Sequence, residues 1–480
     1  MSQFKWEKVD PAPGEAVAPH QRLGWGKTAG LGAQHVVAMF GATFVFPVIM
    51  GLNPNLAILM SGIATICFLL IVKGKVPSYL GTSASFVGGA TAIYTYAGEG
   101  GPGGPEDVTG AILVSGVVLA IVGVIVHYLG ADIVNKILPP VVTGGVVMVI
   151  GFNLAGVATS VYMPADRWMA IITMTAVILM AVGLRGFLGR IAIFLGLIFG
   201  YLLSWLFDAL SVGGVAGDRV NWDNVDKASW LGFPRHTVEG LVGNQNELGN
   251  LDAVGWHMPS FSITFALLAL PAVIALVAEN MGHVKAVSGM TGVDLDPMMG
   301  RAIAADGVGT VLASSVGGSP TTTYAENIGV MAATRVYSTA AYYVAALVAI
   351  LLGFVPKFGA IVAATPGGVL AGITIVLYGM IGLLGAKIWI ENRVNFANPV
   401  NLVPVAAGLI LGIGLGTTGF FEVTDNFSLG GIALGTIVII VGYHLARMVA
   451  PADLDGTMIA VGTPGAHTED HAQPHRHKEE

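Results

Sequence analysis

Apolar stretches long enough to cross a membrane follow one another from about residue 28 to residue 447. We count about fourteen, allowing ~20 residues for a full span and fewer for a broken one. Only 11% of the 480 residues are charged, whereas a soluble globular protein carries roughly 25%. The sequence therefore predicts an all-α polytopic membrane protein. The predicted spans cover residues 28–49, 55–72, 79–96, 108–129, 137–158, 168–184, 190–211, 260–284, 299–315, 320–333, 336–355, 360–383, 400–416 and 428–447.

Lys and Arg residues indicate how these spans are oriented. With the N-terminus in the cytoplasm, 17 of the 22 Lys and Arg residues face the cytoplasm, and five lie outside, namely Arg167, Arg219, Lys227, Arg235 and Lys357. Cytoplasmic loops of membrane proteins carry the excess of positive charge. Both termini are therefore predicted to be cytoplasmic.

Two tails and one long loop lie outside the predicted spans. Residues 1–27 are polar and have no signal-peptide core, so a short cytoplasmic tail is expected. Residues 212–259 are expected to form an outer loop, and residues 448–480 a disordered cytoplasmic tail. Four histidines are assigned to that solvated tail rather than to a metal site: His467, His471, His475 and His477. The single cysteine, Cys67, excludes an intrachain disulfide.

The stretch Gly317–Arg335 cannot form one continuous membrane helix. Two glycines and Pro320 break the helix, and the β-branched run Thr321–Thr323 favours extended backbone. From Ala325 a helix of about seven to ten residues is expected, with Glu326 in its first turn, where the helix dipole favours negative charge. A broken span that carries a carboxylate is typical of a transporter's substrate site. The alternative is a re-entrant loop in which Glu326 only caps the helix.

An internal repeat links the two halves of the chain. The stretch Gly74–Ile93 resembles Gly317–Arg335, and Pro139–Gly156 resembles Thr365–Gly382. Seven segments separate the paired elements, so the two halves are expected to have opposite orientations. Two broken spans, segments 3 and 10, would then meet near the membrane midplane, each with a short strand.

Ionisable side chains within the spans are costly to bury and therefore indicate function. Glu279 and His283 are spaced i, i+4 and share one helix face, so a proton can move between them. The alternative is a neutralised pair that holds two helices together. Zinc binding is disfavoured, because no third ligand and no HExxH motif are present. Glu326 is a second buried carboxylate, and two carboxylates in a low dielectric cannot both stay ionised cheaply. At least one is expected to hold a proton near neutral pH.

Other polar residues are expected to support this site. Asp306 is interpreted as a hydrogen-bonding group, with a purely structural role left open, and Gln34 and His35 as a brace. Two carboxylates accept hydrogen bonds, and backbone N–H groups at a half-helix start donate them. The matching ligand is a small, planar, neutral molecule with both donors and acceptors, stacked on Tyr324 or Phe86. A nucleobase has this chemistry.

The run Glu326–Arg335 reads ENIGVMAATR. It satisfies every position of a signature that begins with Gln, Glu or Pro, continues as N-x-G-x4-T, and ends with Arg, Lys or Gly. On this motif the chain resembles the nucleobase–ascorbate transporters, also called nucleobase–cation symporter family 2. The resemblance extends from about Gly24 to Ala446. Within the family, GLNPNLAILMSG, VPSYLGTSASFVG and GHVKAVSGMTG resemble the uracil permease group most.

The resemblance implies a particular architecture. Fourteen segments would form two inverted repeats of seven, with segments 1–4 and 8–11 in a core domain and the others in a gate domain. The core would cover residues 28–129 and 260–355, and the gate residues 130–211 and 356–447. Family members commonly form homodimers through the gate domain. The expected location is the bacterial cytoplasmic membrane.

The resemblance also implies proton-coupled uracil import, with protons as coupling ions and no cofactor. The base would be held by Glu279 and Glu326, with His283 supporting Glu279 and the backbone of Ala325 donating to the base. Further site residues implied by the resemblance are Tyr324, Ala42 and Tyr378, which line the site, and Gln34, His35, Asp306 and Asn327, which support it.

One departure from the family pattern concerns selectivity. The best-studied type of uracil permease carries a phenylalanine directly after a Ser pair in the third span, whereas this chain has Ala84 there and the aromatic Phe86 two residues on. In an extended strand that aromatic lies on the same face but about 6–7 Å away. The roomier pocket would admit thymine or a purine such as xanthine. Glu326 favours pyrimidines, because purine-selective relatives usually have Gln there.

Functions other than nucleobase import are less well supported. A purine or urate permease on the same fold is the main alternative, whereas an anion carrier conflicts with two carboxylates. A channel would conduct without saturable, proton-linked uptake. An intramembrane enzyme would need a Ser/His or metal constellation that cannot be assembled from these spans. We therefore expect no catalytic residues, no metal site and no nucleic-acid partner.

Overall fold

The computed structural model describes residues 4–12, 15–96, 100–130, 132–212, 218–235, 253–416, 419–424 and 427–451. The helices are α1 (Trp25–Ile49), α2 (Pro54–Ile71), α3 (Val87–Tyr94), α4 (Pro105–Leu129), α5 (Asp132–Ile137), α6 (Pro140–Asn153), α7 (Arg167–Gly183), α8 (Gly186–Arg190), α9 (Ala192–Ala209), α10 (Asp223–Lys227), α11 (Ile263–Ala269), α12 (Pro271–Thr291), α13 (Met299–Ser314), α14 (Ala325–Thr334), α15 (Thr339–Gly353), α16 (Pro356–Ala363), α17 (Gly367–Glu391), α18 (Pro399–Gly414) and α19 (Gly431–Val449). The strands are β1 (Glu7–Lys8), β2 (Gln21–Arg22), β3 (Leu80–Thr82), β4 (Thr321–Thr323), β5 (Phe420–Thr424) and β6 (Phe427–Gly430).

Eight helical stretches in the described part of the chain are long and apolar enough to cross a membrane. They are α1, α2, α4, α9, α17, α19, the pair α11–α12, and α6 with the turns that extend it to Ala165. The helices α15 and α16, bent by 82°, form a ninth candidate span. The remaining predicted spans coincide with the shorter helices α7, α13 and α18 and with two strand–helix units. The predicted polytopic helical fold is confirmed.

Asn–Pro pairs begin two of the spanning helices. The Asn53 side chain accepts hydrogen bonds from the first-turn N–H groups of α2, and Asn398 caps α18 in the same way. In both helices proline is the first helical residue, where its missing N–H costs nothing. These starts can be read directly from the sequence.

The two broken segments meet as the sequence predicts. Strand β3 runs into α3 through a short turn, strand β4 runs into α14, and the strands pair antiparallel with Gly81 opposite Thr322. Within a membrane span, the backbone groups of a strand need hydrogen-bond partners that a helix would provide internally, and here threonine hydroxyls provide some of them. The Thr310 hydroxyl lies 3.1 Å from the Thr321 nitrogen, and the Thr65 hydroxyl accepts from the Leu80 N–H at 2.9 Å. The strands predicted in segments 3 and 10 are confirmed, as is the helix that starts at Ala325.

Glycine sets the distance between several helices. The helices α1, α2, α3, α4, α11, α12, α13, α14 and α15 pack together as one group, and α6, α7, α9, α17, α18 and α19 as a second. In the first group a Cβ on Gly123 would lie 2.1 Å from the Ala304 nitrogen, and in the second a Cβ on Gly151 would lie 2.2 Å from the Gly382 nitrogen. Close backbone contact through small residues is typical of helix packing in membranes. The core and gate roles of these groups stay predictions.

The β5–β6 hairpin joins the two groups at one end. Tyr96, which follows α3, packs edge-on against Phe420 of β5 and Phe265 of α11, with ring centroids 5.7 and 5.5 Å apart. The Ser428 N–H donates to the Tyr96 hydroxyl at 3.3 Å. A hairpin between two helices of the second group thus rests on the first group.

The segment before α1 is folded against the first group, although the sequence predicts only a polar tail there. Strands β1 and β2 pair in parallel, and Val17, which is 1% exposed, bridges to Val336 in the turn after α14. The Trp6 indole N–H donates to the Thr339 hydroxyl at 2.9 Å. The helix α1 begins at Trp25, three residues before the predicted start.

Two other expectations, on the span at 360–383 and on the outer loop and C-terminal tail, can be compared with the structure only in part. The predicted span at 360–383 is divided, because α16 ends at Ala363 and α17 starts after Pro366, whose fixed backbone suits a helix start. Residues 213–217 and 236–252 of the predicted outer loop lie outside the described part of the chain. So do residues 452–480, which include all four tail histidines.

An ion triad fastens one end of the second group. The Arg219 guanidinium lies 2.8 Å from Asp166 and 3.2 Å from Asp208, with the arginine side chain 7% and the carboxylates 13% exposed. Asp166 also caps α7 by accepting the Met169 N–H at 3.0 Å. The arginine therefore ties the start of α7 to the end of α9.

We expect Arg219→Met to destabilise the protein by about 3 kcal/mol, because it leaves two shielded carboxylates without their cation. Thermal unfolding of the purified protein in detergent measures the change. Lys387→Met is the matched control, since Lys387 pairs with Glu391 at 3.6 Å with both side chains at least 60% exposed. An exposed pair contributes at most about 1 kcal/mol. Equal shifts in the two variants would contradict the assigned role of Arg219.

Candidate functional site

Glu279 lies on α12 and faces the paired strands. Its carboxylate accepts a hydrogen bond of 3.0 Å from the Thr322 hydroxyl, in the middle residue of β4. The side chain is half-buried, whereas its neighbour Asn280 is fully buried. The carboxylate is thus fixed at one oxygen and retains capacity to accept further hydrogen bonds.

Glu326 lies in the first turn of α14, directly after β4, and is half-buried. Tyr324 occupies the N-cap position but makes no capping bond; its hydroxyl donates instead to the Thr82 carbonyl of β3. Tyr324 therefore provides no capping bond to the backbone N–H groups at the start of α14, which form the positive end of the helix dipole. Helix α12 contacts both β4 and α14, so the elements that carry the two carboxylates pack against each other.

His283 is one turn beyond Glu279 but does not pair with it. Its Nε2 donates to the Pro77 carbonyl at 3.3 Å, and its Nδ1 is buried without a hydrogen-bond partner. Pro77 precedes β3, so the imidazole joins α12 to the first broken segment. Direct support of Glu279 by His283 stays a prediction.

Asp306 is fully buried on α13 and accepts a hydrogen bond of 2.6 Å from the Asn280 side chain. The same amide nitrogen donates to the Leu276 carbonyl at 3.0 Å. Sequence reasoning missed Asn280, although an amide beside a carboxylate in an apolar span was a usable signal. Asp306 thus holds α13 to α12 immediately behind Glu279.

His35 and Asn327 brace α1 against α14. The imidazole Nδ1 lies 2.9 Å from the Asn327 Oδ1, and the Asn327 amide nitrogen lies 3.3 Å from the Tyr79 carbonyl. The amide nitrogen must donate to the carbonyl, so its oxygen accepts and the proton lies on Nδ1. The His35 ring also stacks on Tyr342 at 4.4 Å. Gln34, beside His35, is half-buried.

We expect Asn327→Ala to destabilise the protein by about 2–3 kcal/mol, because it leaves His35 and the Tyr79 carbonyl unpaired in the core. Thermal unfolding in detergent provides the measurement. Asn392→Ala is the control, since the Asn392 side chain is exposed and bonds only the Ile388 carbonyl of its own helix. A loss at Asn327 no larger than at Asn392 would refute the bracing role.

The third span departs from the predicted geometry. Strand β3 ends at Thr82, and residues 84–86 form a 3-10 turn whose start is capped by the Ser83 hydroxyl, which accepts the Ser85 N–H at 3.3 Å. The extended backbone assumed for Ala84 and Phe86 is therefore wrong. Ala84 is half-buried, whereas Phe86 is 1% exposed and belongs to the core.

Three further predicted residues lie on different helices. Ala42 is on α1 and Ala325 begins α14, but the side chains of both lie outside what the structure describes. Tyr378 is on α17, 2% exposed, with a hydroxyl that has no hydrogen-bond partner. Among the described residues, no three His, Cys, Asp or Glu side chains are grouped to hold a metal ion.

Comparison with known proteins assigns the family. The model of a permease family, that of the xanthine and uracil permeases, matches residues 26–420. The chain belongs to this family. The resemblance seen in the signature at Glu326–Arg335 is thereby confirmed. As a member of this permease family with many apolar spans, the chain is a multi-pass membrane protein.

Several xanthine–uracil permease relatives are similar over nearly the whole chain. A protein of Escherichia coli named as a pyrimidine permease, RutG, is 45% identical over 422 residues, covering 88% of this chain and 89% of its own length. The uracil permease of Bacillus subtilis is 35% identical over 84% of this chain and 89% of its own length. That of Bacillus caldolyticus is 36% identical over 85% and 89%.

Solved structures support the fold of this permease. The transmembrane domain of a cyanobacterial bicarbonate transporter, BicA, has a TM-score of 0.56 at 10% identity, covering 82% of this chain and 96% of its own. The murine anion transporter Slc26a9 in the inward-facing state has a TM-score of 0.59 at 11% identity, covering 88% and 68%. At such low identity the likeness concerns the fold alone.

Proposed function

We propose that this permease imports uracil, and also thymine, across the bacterial cytoplasmic membrane together with protons. The observation that carries the proposal is the position of two half-buried carboxylates: Glu279 accepts a hydrogen bond from β4, and Glu326 lies in the first turn of α14 directly after β4. The relatives named as uracil and pyrimidine permeases support it. No chemical step on the substrate is required.

The donors and acceptors of this site complement a nucleobase. Uracil presents two N–H donors and two carbonyl acceptors in one plane. The carboxylates of Glu279 and Glu326 accept from the N–H groups, and the uncapped start of α14, from Ala325, donates to a carbonyl. Tyr324, held in place by its bond to the Thr82 carbonyl, forms part of the wall. Each hydrogen bond to a carboxylate is stronger than a neutral one.

Proton coupling follows from the charge of the same pair. Two carboxylates that repel each other in a site shielded from water favour the binding of one proton between them. A neutral base bound with that proton leaves the site with one negative charge fewer. His283, with its free Nδ1 one turn from Glu279, is positioned to relay the proton.

Alternating access requires two bodies that move relative to each other. We assign the core role to the first packing group, which carries the carboxylates, and the gate role to the second, with Tyr378 on the gate side. The antiparallel strand–helix units support an inverted repeat of seven segments in each half. We further propose cytoplasmic termini and a homodimer formed through the gate group.

Uptake by the purified protein in liposomes tests this function. Labelled uracil is supplied with and without an inward proton gradient, and thymine, xanthine and urate compete in parallel. We expect saturable uptake that a proton gradient accelerates and that thymine inhibits. Stronger inhibition by xanthine or urate than by thymine would instead assign a purine permease, which the small side chain at Ala84 favours. Uptake that neither saturates nor responds to the gradient would overturn symport.

A further inference from the structure

A cavity of about 1020 Å³ lies away from the paired strands, between three connecting segments. It is lined by residues 19–20 before α1, by residue 70 in the last turn of α2 and residues 73–75 after it, and by residues 291, 293–295 and 297–298 from the end of α12 to the start of α13. The folded N-terminal segment thus closes one side of it. None of these residues belongs to the proposed nucleobase site.

The charges on this wall favour an anion. Lys73 and Lys75 line the cavity, both side chains are exposed, and neither forms an ion pair with any described residue. His20 adds a third basic group, and Asp294 is the one carboxylate on the wall. Lys73 has a φ of +55°, a conformation that glycine adopts more easily, so its presence there points to a use for its side chain.

The remaining wall is apolar and open to the outside of the protein. Leu70 is 41% exposed and Val293 is 53% exposed, and both line the cavity. In the predicted orientation this end of α2 and α12 faces the cytoplasmic leaflet, where anionic lipids give a negative surface potential. Basic groups beside exposed aliphatic side chains match a headgroup attached to acyl chains better than a small soluble anion.

We propose that this cavity binds an anionic phospholipid, with the phosphate between Lys73 and Lys75 and the acyl chains along Leu70 and Val293. The lipid joins two connections that lead to the proposed nucleobase site. Lys75 is two residues before Pro77, whose carbonyl accepts from His283, and the opposite wall begins at Thr291, the last residue of α12. A lipid bound in the cavity therefore connects the first broken segment to α12, the helix that carries Glu279.

Binding is measured by native mass spectrometry of the purified full chain titrated with dioctanoyl phosphatidylglycerol. We expect the double variant Lys73→Gln, Lys75→Gln to weaken binding by about 25-fold, since each lysine near a headgroup contributes about fivefold. The matched control, Lys136→Gln with Lys387→Gln, removes the same charge elsewhere and is expected to leave affinity unchanged. Asp294→Asn is expected to tighten binding about threefold, which tests the site even if the double variant fails to fold.

Three outcomes would overturn the proposal. Equal loss of affinity in both double variants would show a nonspecific charge effect. Phosphatidylcholine bound as tightly as phosphatidylglycerol would remove the role of the anion. Glycerol 3-phosphate competing at the same concentration as the lipid would assign the cavity to a soluble phosphate. Uracil uptake is measured separately, so the nucleobase function and the lipid site can fail independently.

Discussion

Uracil uptake is expected to fall to background when Glu279 is replaced by Gln. The amide keeps the shape of the side chain and still accepts the Thr322 hydroxyl at one oxygen. It cannot take up a proton, and it turns one acceptor into an N–H₂ donor that faces an N–H of the base. Loss of a hydrogen bond to a charged group costs about 1.5–3 kcal/mol, or ~10- to 150-fold in affinity. Loss of the proton carrier removes the driving force as well.

Initial rates of labelled uracil uptake across a range of external pH provide the measurement. The wild type is expected to transport faster as the external pH falls, because protonation precedes or accompanies binding. Any residual uptake by the Glu279→Gln variant should lose that dependence. Glu391→Gln is the control, since Glu391 is exposed and pairs only with Lys387. Wild-type rate and pH profile in the Glu279 variant would exclude it as the coupling residue.

Local sequence rules predict much of the fold. The spans follow from long apolar runs with few charges, and the broken segment follows from the glycines, Pro320 and the threonine run that precede Ala325. Each of these signals acts over a few residues and is not overruled by packing. The Asn–Pro starts of α2 and α18 are equally local.

Contacts between distant segments could not be predicted in this way. Periodicity places His283 on the face of Glu279, but the imidazole bonds the Pro77 carbonyl, which is 206 positions away in the chain. A serine cap turns the chain at Ala84 where an extended strand is expected. The polar N-terminal residues fold because Val17 finds backbone partners after α14. For His283 and Val17 the deciding group lies far away in the chain, whereas the Ser83 cap is a local signal that the expectation of an extended strand did not use.

Glu326→Gln is expected to change selectivity as well as abolish uracil uptake. Uracil offers N–H donors to this position, and a Gln amide presents one acceptor and one donor in place of two acceptors. A purine such as xanthine carries a ring nitrogen without a proton, which accepts from the amide N–H₂. The resemblance agrees, since purine-selective relatives usually have Gln at the first position of the signature.

Binding of uracil and xanthine to the purified Glu326→Gln variant, measured by calorimetry, tests both parts. We expect uracil affinity to fall by ~10- to 150-fold and xanthine affinity to rise relative to the wild type. Glu326→Asp is the matched control, because it keeps the charge at the start of α14 and should retain uracil over xanthine. Equal losses for both bases in the Gln variant would show that Glu326 supports the helix start rather than reading the base. The carboxylate of Glu326 would then only stabilise the start of α14 through the helix dipole. Glu279 would be the residue that distinguishes a pyrimidine from a purine.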